Sequence, residues 1–385
     1  MPSFLWLEEP KITLIRTAAA NSFQAEMREP FLADRIRALR NLFSPQMDGY
    51  IIVNDKNMLY FTGFSGGSRL LIPPSRGEVT FFVNSVNYEA AKEKAKNVNV
   101  ELVNIGEDAD RKLTEEISRL KLRHIGFDVL RASTYIKLKE QLKEAKLEPA
   151  EEIVWSLRKV KNQEEVALAK KAAELTSRGM NKAFEVVAAG MKEREVAAEI
   201  ECEMRRLGSD GVAFETIVGS GPNSAFPHGG CGDRKIERGD FVTIDVGAKY
   251  RDYCADLTRT FIIGEPSPRC AEIYETVREA QELAFNQIGV GVETKKVDGA
   301  AREYIEKKGY GKYFVHSVGH GVGLDIHEPP TLGPSSKDVL SSGNIVTVEP
   351  GIYVPKLGGV RIEDTVLVLE DGAKKLTEAP IPHSL

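Results

Sequence analysis

The chain has 385 residues, enough for two domains with sizeable cores, and its 52 Lys and Arg against 57 Asp and Glu leave a net charge of −5 that gives no electrostatic case for a nucleic-acid partner. No stretch is apolar for long enough to span a membrane, and the opening MPSFLWLEEPKITL lacks the basic start and apolar run of a signal peptide, so a cytoplasmic protein is expected. The four cysteines, Cys202, Cys231, Cys254 and Cys270, have no CxxC spacing, which argues against a zinc knuckle and fits reduced thiols in that compartment.

Residues 1–30 form a mixed segment punctuated by Pro2, Pro10 and Pro30, read as an extension, an arm or an extra strand. A short helix then runs from Leu32 through RIRALRNLF to a turn at Asp48-Gly49. Strands are expected at 50–53, 68–72, 79–83 and 98–103, with a glycine break at 63–67 and a helix at 88–96. A helix, strand, helix alternation follows over 113–120, 124–128 and 133–145. The first half therefore reads as an α/β domain with a mixed sheet.

Long helical patterns begin near Glu151: 153–158, 163–187 and 193–207, with Gly190 and Gly208 as stops. They place a domain boundary near residue 155, giving domains of 1–155 and 156–385. The charges of KVKNQEEVALAKK read as a solvated face. Strand blocks are expected at 213–218 and 241–263, and helices at 269–286 and 295–308. A glycine-rich loop over 316–327 and strands at 345–348, 352–353 and 359–369 complete the chain.

The stretch DVGAKYRDYCAD, 245–256, lies between two β-type runs and reads as the centre of a hairpin. Asp245 and Asp256 stand on its two arms among core-type residues, and a carboxylate there is costly to bury unless it is paired or holds a metal. Glu349, in IVTVEPG, and Glu363, in VRIEDTV, repeat that pattern. His320 sits in HSVGHGVGLDIHEPP, where glycines break any helix and let backbone come close. Four of the six histidines, His228, His316, His320 and His327, fall between residues 228 and 327. Each residue has a bland reading: Asp256 could pair with Arg259, Glu363 with Arg361, and a histidine near glycines is commonly a loop contact. Together, four carboxylates and one imidazole suit Mn²⁺, Co²⁺ or Fe²⁺, with Zn²⁺ a further candidate.

IDVGAKYRDYCADLTRTF, HSVGHGVGLDIHEPP, VTVEPGIYVP and VRIEDTVLV resemble, in order and spacing, the metal motifs of the pita-bread metallopeptidases. That group holds methionine aminopeptidase, aminopeptidase P and Xaa-Pro dipeptidase. The first half, with NDKNMLYFTGFSGG, resembles the creatinase-type N-terminal domain of the latter two. The resemblance implies an α/β (α+β) protein, a creatinase-like domain followed by a pita-bread domain. It implies two divalent ions, Mn²⁺ or Co²⁺ first, held by Asp245, Asp256, His320, Glu349 and Glu363, with Asp256 and Glu363 bridging. It also implies cleavage of the bond before proline in a small peptide by a metal-bridging hydroxide, with Glu349 shuttling the proton.

His228 and His327 match substrate-side histidines, and Arg361 matches an arginine that holds carboxylates in place. His316 reads as structural, Tyr250 as a weaker candidate, and Tyr253 and Cys254 as packing. The resemblance further implies a homodimer; no nucleic-acid partner is expected from the charge, and no membrane from the short apolar stretches. Several dipeptidases of the group carry an arginine soon after the HE dipeptide, where this chain has His327-Glu328-Pro329-Pro330 and then Lys337 as its nearest base. Xaa-Pro dipeptidase activity is the expectation, with aminopeptidase activity on longer Xaa-Pro peptides as the alternative that the missing arginine keeps open. A metal-free binding protein and a creatinase-type hydrolase of non-peptide substrates fit the full ligand set less well.

Overall fold

A computed structural model describes residues 32–74 and 77–382. The expectation for residues 1–30 lies outside the described residues. The chain divides into two compact units at Leu157/Arg158.

In the first unit a helix over 32–41 (α1) is followed by β1 (Gly49–Ile52), α2 (Asp55–Thr62), β2 (Arg69–Ile72), β3 (Thr80–Asn84), α3 (Ser85–Lys94) and β4 (Asn99–Val103). Then come α4 (Ala109–Leu120), β5 (His124–Phe127), α5 (Ala132–Gln141), β6 (Lys146–Pro149) and α6 (Glu151–Arg158). The strands make one sheet in the order β4-β3-β2-β1-β5-β6. β1 runs antiparallel to β2 and parallel to β5, so the sheet is mixed, as its alternation of strands and helices predicts. Asn54 starts α2 by accepting the amides of Lys56 and Asn57, and Gly63 ends it in the left-handed region. The core packs Ile51, Leu71, Phe82 and Ile125 against Leu113, Ile117 and Leu138 of the helices.

The second unit opens with α7 (Gln163–Val186) and α8 (Glu193–Arg206). Asn162 and Glu165 exchange side-chain and backbone hydrogen bonds in a capping box that starts α7. The helix ends at Val186, four residues before the expected stop at Gly190; Gly208, with φ 103°, does follow the end of α8. β7 (Gly211–Val212) and β8 (Ile217–Ser220) lead to β9 (Phe241–Val246), β10 (Ala248–Tyr250), β11 (Tyr253–Cys254) and β12 (Leu257–Ile262). After α9 (Pro268–Phe285) and α10 (Thr294–Lys307) come β13 (Gly319–Gly321), β14 (Glu328–Leu332), β15 (Ile345–Val348), β16 (Gly351–Val354), β17 (Gly358–Arg361), β18 (Asp364–Leu369) and β19 (Gly372–Lys375).

Three of this unit's sheets carry the architecture: β12-β9-β8, β11-β10-β7 and β14-β13-β15-β18-β19. Ile273, Val277, Ala280, Val297, Ala301 and Ile305 of α9 and α10 pack on Val346, Val348, Val366 and Val368. Val196, Ile200 and Met204 of α8 pack with Val242, Ile244 and Phe261. The expected hairpin is present but bent, because β10 leaves the β9–β12 pair to join β11 and β7.

Three expectations need correction. The run 359–369 is two strands broken at Ile362-Glu363, which belong to different sheets. The glycine-rich stretch is partly ordered as β13 and leads into β14, a strand that Pro329 and Pro330 hide from sequence reading. The charged run KVKNQEEVALAKK is not all solvated: Lys161 and Glu165 are buried, Lys161 against Glu328 and Glu165 beneath the Tyr253 hydroxyl.

Candidate metal centre

The two hairpins carry the acids to one place. In β9 and β12, Asp245 pairs with Thr258, and Asp256 stands just before β12. In β15 and β18, Val348 pairs with Asp364, so Glu349 and Glu363 lie just beyond the last paired residues. Hydrogen bonds join the hairpins: the Glu363 amide donates to the Thr258 carbonyl at 3.1 Å. The Thr365 hydroxyl donates to the Asp256 carbonyl at 2.7 Å and accepts the Asp256 amide at 3.0 Å. His320 arrives on β13, beside β15. A Cβ at Gly319 would stand 2.1 Å from the Thr347 carbonyl oxygen, and one at Gly321 would stand 2.4 Å from that of Pro329. These glycines are required by neighbouring strands, which is the close backbone approach their sequence suggests.

A cleft of about 480 Å³ is lined by Asp245, Asp256, Glu349, Arg361 and the four histidines 228, 316, 320 and 327, with Phe214, Ile217 and Ile326 as apolar wall. Glu363 is 1 % exposed, and its side chain meets Asp256 and His320: one donor atom from each lies within 4.8 Å of the others. His320 Nε2 is 3.2 Å from Glu349 Oε1 and 3.7 Å from Asp256 Oδ2, while its Nδ1 faces the Gly321 carbonyl at 3.1 Å. The Thr347 hydroxyl donates to Glu349 Oε1, and the Thr258 hydroxyl to Glu363 Oε2 at 2.7 Å. His228 and His327 stand exposed on the walls, and the rings of His320 and His327 meet edge to face with centroids 4.3 Å apart.

The bland pairings fail. Arg361 bonds Asp245 at 2.7 Å, and Arg259 bonds Asp364 at 2.9 Å. Arg361 also donates to the Tyr353 hydroxyl at 2.8 Å and to Thr258 Oγ1 at 3.0 Å, and the Tyr353 hydroxyl meets His316 Nε2 at 2.9 Å. His316 is thus a cleft residue tied into the Arg361 network. Sequence reading passed over Tyr353, and alternation along β16 marks only that it faces away from Ile352. Tyr250 packs with the apolar residues beside α7 and α8, away from the cleft lining, and Lys337 is exposed elsewhere. Tyr253 and Cys254 are buried, as expected for packing residues.

Burial, then the charges of Glu363, Asp245 and Glu349, push the Asp256 carboxyl well above its usual range; burial, Glu349 and Asp245 do the same to Glu363. Burial would raise Glu349 too, but the hydrogen bond and charge of His320 outweigh it and hold Glu349 down at about 2. Burial lowers the basicity of His320, and Glu349 more than restores it. Burial lowers that of His316 and His327.

Among the described residues, Asp245 Oδ1, Asp256 Oδ1 and Glu363 Oε1 are buried and meet no hydrogen-bond donor. Orphaned carboxylate oxygens and crowded like charges are both costly, and cations at the cluster would relieve both. The residues present therefore fit divalent ions, with oxygen donors in the majority and one imidazole.

Fold and donor set together define a metal-dependent hydrolase. The chain belongs to metallopeptidase family M24, which matches residues 167–370, and residues 35–160 match the creatinase/prolidase N-terminal domain. It is 41% identical to the Xaa-Pro dipeptidase of Pyrococcus furiosus, over 86% of this chain and 94% of that protein. Among solved structures it resembles the prolidase from Pyrococcus horikoshii OT3, with a TM-score of 0.84 and 37% identity, covering 90% of this chain and 99% of the other. The X-Pro aminopeptidase from Thermotoga maritima MSB8 matches with a TM-score of 0.78 and 37% identity, covering 87% and 97%. The chain is a metallopeptidase with a creatinase-type first domain and a pita-bread second domain, as its motifs imply.

Proposed function

We propose that this chain is an Xaa-Pro dipeptidase working with two divalent ions, Mn²⁺ or Co²⁺ before Zn²⁺ or Fe²⁺. The observation that carries the reading is three donor-less buried carboxylate oxygens beside one imidazole in a cleft of small-peptide size. Asp245, Asp256, His320, Glu349 and Glu363 would hold the ions. When bound, the ions lower the pKa of water and polarise the scissile carbonyl. The chain's own groups do the rest. Glu349, oriented by Thr347 and His320, takes a proton from the attacking water and returns it to the proline nitrogen as the C–N bond breaks. His228 and His327 donate hydrogen bonds to the carbonyl oxygen as it gains charge. Arg361 keeps Asp245 in place, and Phe214, Ile217 and Ile326 give the cleft an apolar wall against which an apolar residue of the substrate would lie.

One observation favours a second reading, an Xaa-Pro aminopeptidase acting on longer peptides. A dipeptide's free carboxylate needs a grip to be preferred over an extended chain. Among the described residues, the cleft lining holds no lysine and one arginine, Arg361, whose donors already serve Asp245, Tyr353 and Thr258. The test is Mn²⁺- or Co²⁺-dependent release of proline from Ala-Pro, run beside cleavage of Ala-Pro-Ala. Turnover of Ala-Pro supports the dipeptidase, turnover of the tripeptide alone makes this an aminopeptidase, and turnover of neither by metal-loaded protein overturns both.

We also infer functional domains of 1–155 and 156–385, a homodimer and a cytoplasmic site. No helix among the described residues is long and apolar enough to cross a membrane. Light scattering on the purified protein tests the dimer.

A further inference from the structure

We propose that Glu328 is a positioning residue for His327, held by a buried ion cluster that sets the substrate-facing imidazole against His320. The proposal rests on the reading of His327 as a group that touches substrate.

Glu328 opens β14, and neighbouring residues in extended chain point to opposite sides. His327 faces the cleft, whereas the Glu328 side chain is 1 % exposed. Arg158 Nη2 donates to Glu328 Oε2 at 2.6 Å, and Lys161 Nζ donates to Oε1 at 2.7 Å. The same Arg158 nitrogen bonds Asp325 Oδ2 at 2.7 Å. Lys161 and Arg158 outweigh burial and hold the Glu328 carboxyl below its usual range.

The backbone closes round this carboxylate. A Cβ at Gly323 would stand 2.4 Å from Glu328 Oε1. The Gly323 amide donates to the Asp325 carbonyl at 3.0 Å, and its carbonyl accepts the Cys254 amide at 2.8 Å. Glu328 is also the β14 residue paired with Gly321, the neighbour of His320, beside a register shift in the ladder. Both ends of the segment from His320 to His327 thus meet at one residue, Glu328, through its chain neighbour and its strand pairing, and the ion cluster holds that residue's carboxylate.

A merely structural reading explains less. A buried ion cluster is seldom worth more than apolar residues of the same volume. Apolar side chains would fill the space but could not anchor Asp325 and Glu328, on either side of His327, by directed bonds. Misplacement of a reacting group by about 1 Å costs about a hundredfold in rate, so the value of the cluster lies in placement.

The experiment measures kcat, KM and metal stoichiometry on the Mn²⁺-loaded full chain for Glu328→Gln, Asp325→Asn, His327→Ala and the double variants E328Q/H327A and D325N/H327A. The substrate is whichever of Ala-Pro and Ala-Pro-Ala is turned over. E328Q is expected to lower kcat by about ten- to a hundredfold, to leave KM within about twofold and to retain metal. In the H327A background the same change is expected to cost less than about twofold, because its effect passes through His327. D325N, at the half-exposed end of the cluster, is expected to act in the same direction more weakly, and it carries the test if E328Q does not fold. Multiplicative effects of E328Q or D325N with an impaired H327A overturn the proposal alone, as does loss of metal. An H327A variant with unchanged kcat overturns the reading of His327 itself, and the proposal with it.

Discussion

Asp256→Asn should stabilise the metal-free protein while abolishing activity. The donor oxygens of Asp256 and Glu363 lie no more than 4.8 Å apart. Two like charges at that distance repel by about 3 kcal/mol at an effective dielectric of about 20. Burial and three neighbouring carboxylates push the Asp256 pKa well up, so the folded state holds this proton more tightly than the unfolded chain does. The sign follows by linkage: the stability that this proton contributes to the metal-free protein is fully present below the ordinary carboxylate range and is lost as pH rises from there through the raised folded value. An asparagine keeps the shape, removes the charge and offers an amide donor to the oxygens of Asp245 or Glu363 that lack one. Part of the gain is lost to partial protonation of the wild-type cluster, leaving about 1–2 kcal/mol, as when a strained functional site is relaxed. At about 2–4 °C per kcal/mol for a unit of this size, thermal melting in EDTA at pH 7.5 should shift upward by several degrees. Mn²⁺ should raise the wild-type midpoint, leave that of the variant nearly unmoved, and so reverse their order. A variant less stable than wild type in EDTA would refute the account of the cluster as strained. A full Mn²⁺ shift with retained turnover would refute Asp256 as a metal ligand.

Two further outcomes test the surroundings of the cluster. His228→Ala should keep the wild-type metal stoichiometry by elemental analysis while lowering kcat by about a hundredfold, the scale of a lost donor to a developing oxyanion; lost metal would make His228 a ligand instead. Tyr353→Phe leaves an Arg361 donor and His316 Nε2 without their shared partner, and should cost about 1–3 kcal/mol by thermal melting of the metal-loaded protein. A melting temperature equal to wild type would remove the Tyr353 hydroxyl from the supporting network.

Much of this centre is legible before folding because its residues break local rules. Asp245 and Glu363 stand in runs that otherwise suit a core, and a buried carboxylate is costly enough that few appear there without a partner or a metal. His320 is marked by its glycines, although what those glycines admit is the backbone of Thr347 and Pro329. Other features stay hidden for equally physical reasons. β14 carries Pro329 and Pro330, which local propensity counts against a strand. Lys161 and Glu165 lie in a run whose charge reads as solvated, and only their distant partners, Glu328 and Tyr253, bury them.

The mixed sheet of the first unit and the helices of the second are written in local sequence, as is the oddness of carboxylates in core-type runs, because period, caps and the cost of a misplaced charge act over a few residues. Tertiary structure alone decided which arginine neutralises which acid. Arg361 reaches Asp245, 116 positions away, and Arg259 reaches Asp364, 105 positions away, where nearest-neighbour pairing would have joined Arg361 to Glu363 and Arg259 to Asp256. Alternation along a strand turns residues two apart to the same face, but what meets that face is set by how the two hairpins pack. That packing leaves one oxygen on each of Asp245, Asp256 and Glu363 without a donor among the described residues, and so shapes the candidate site.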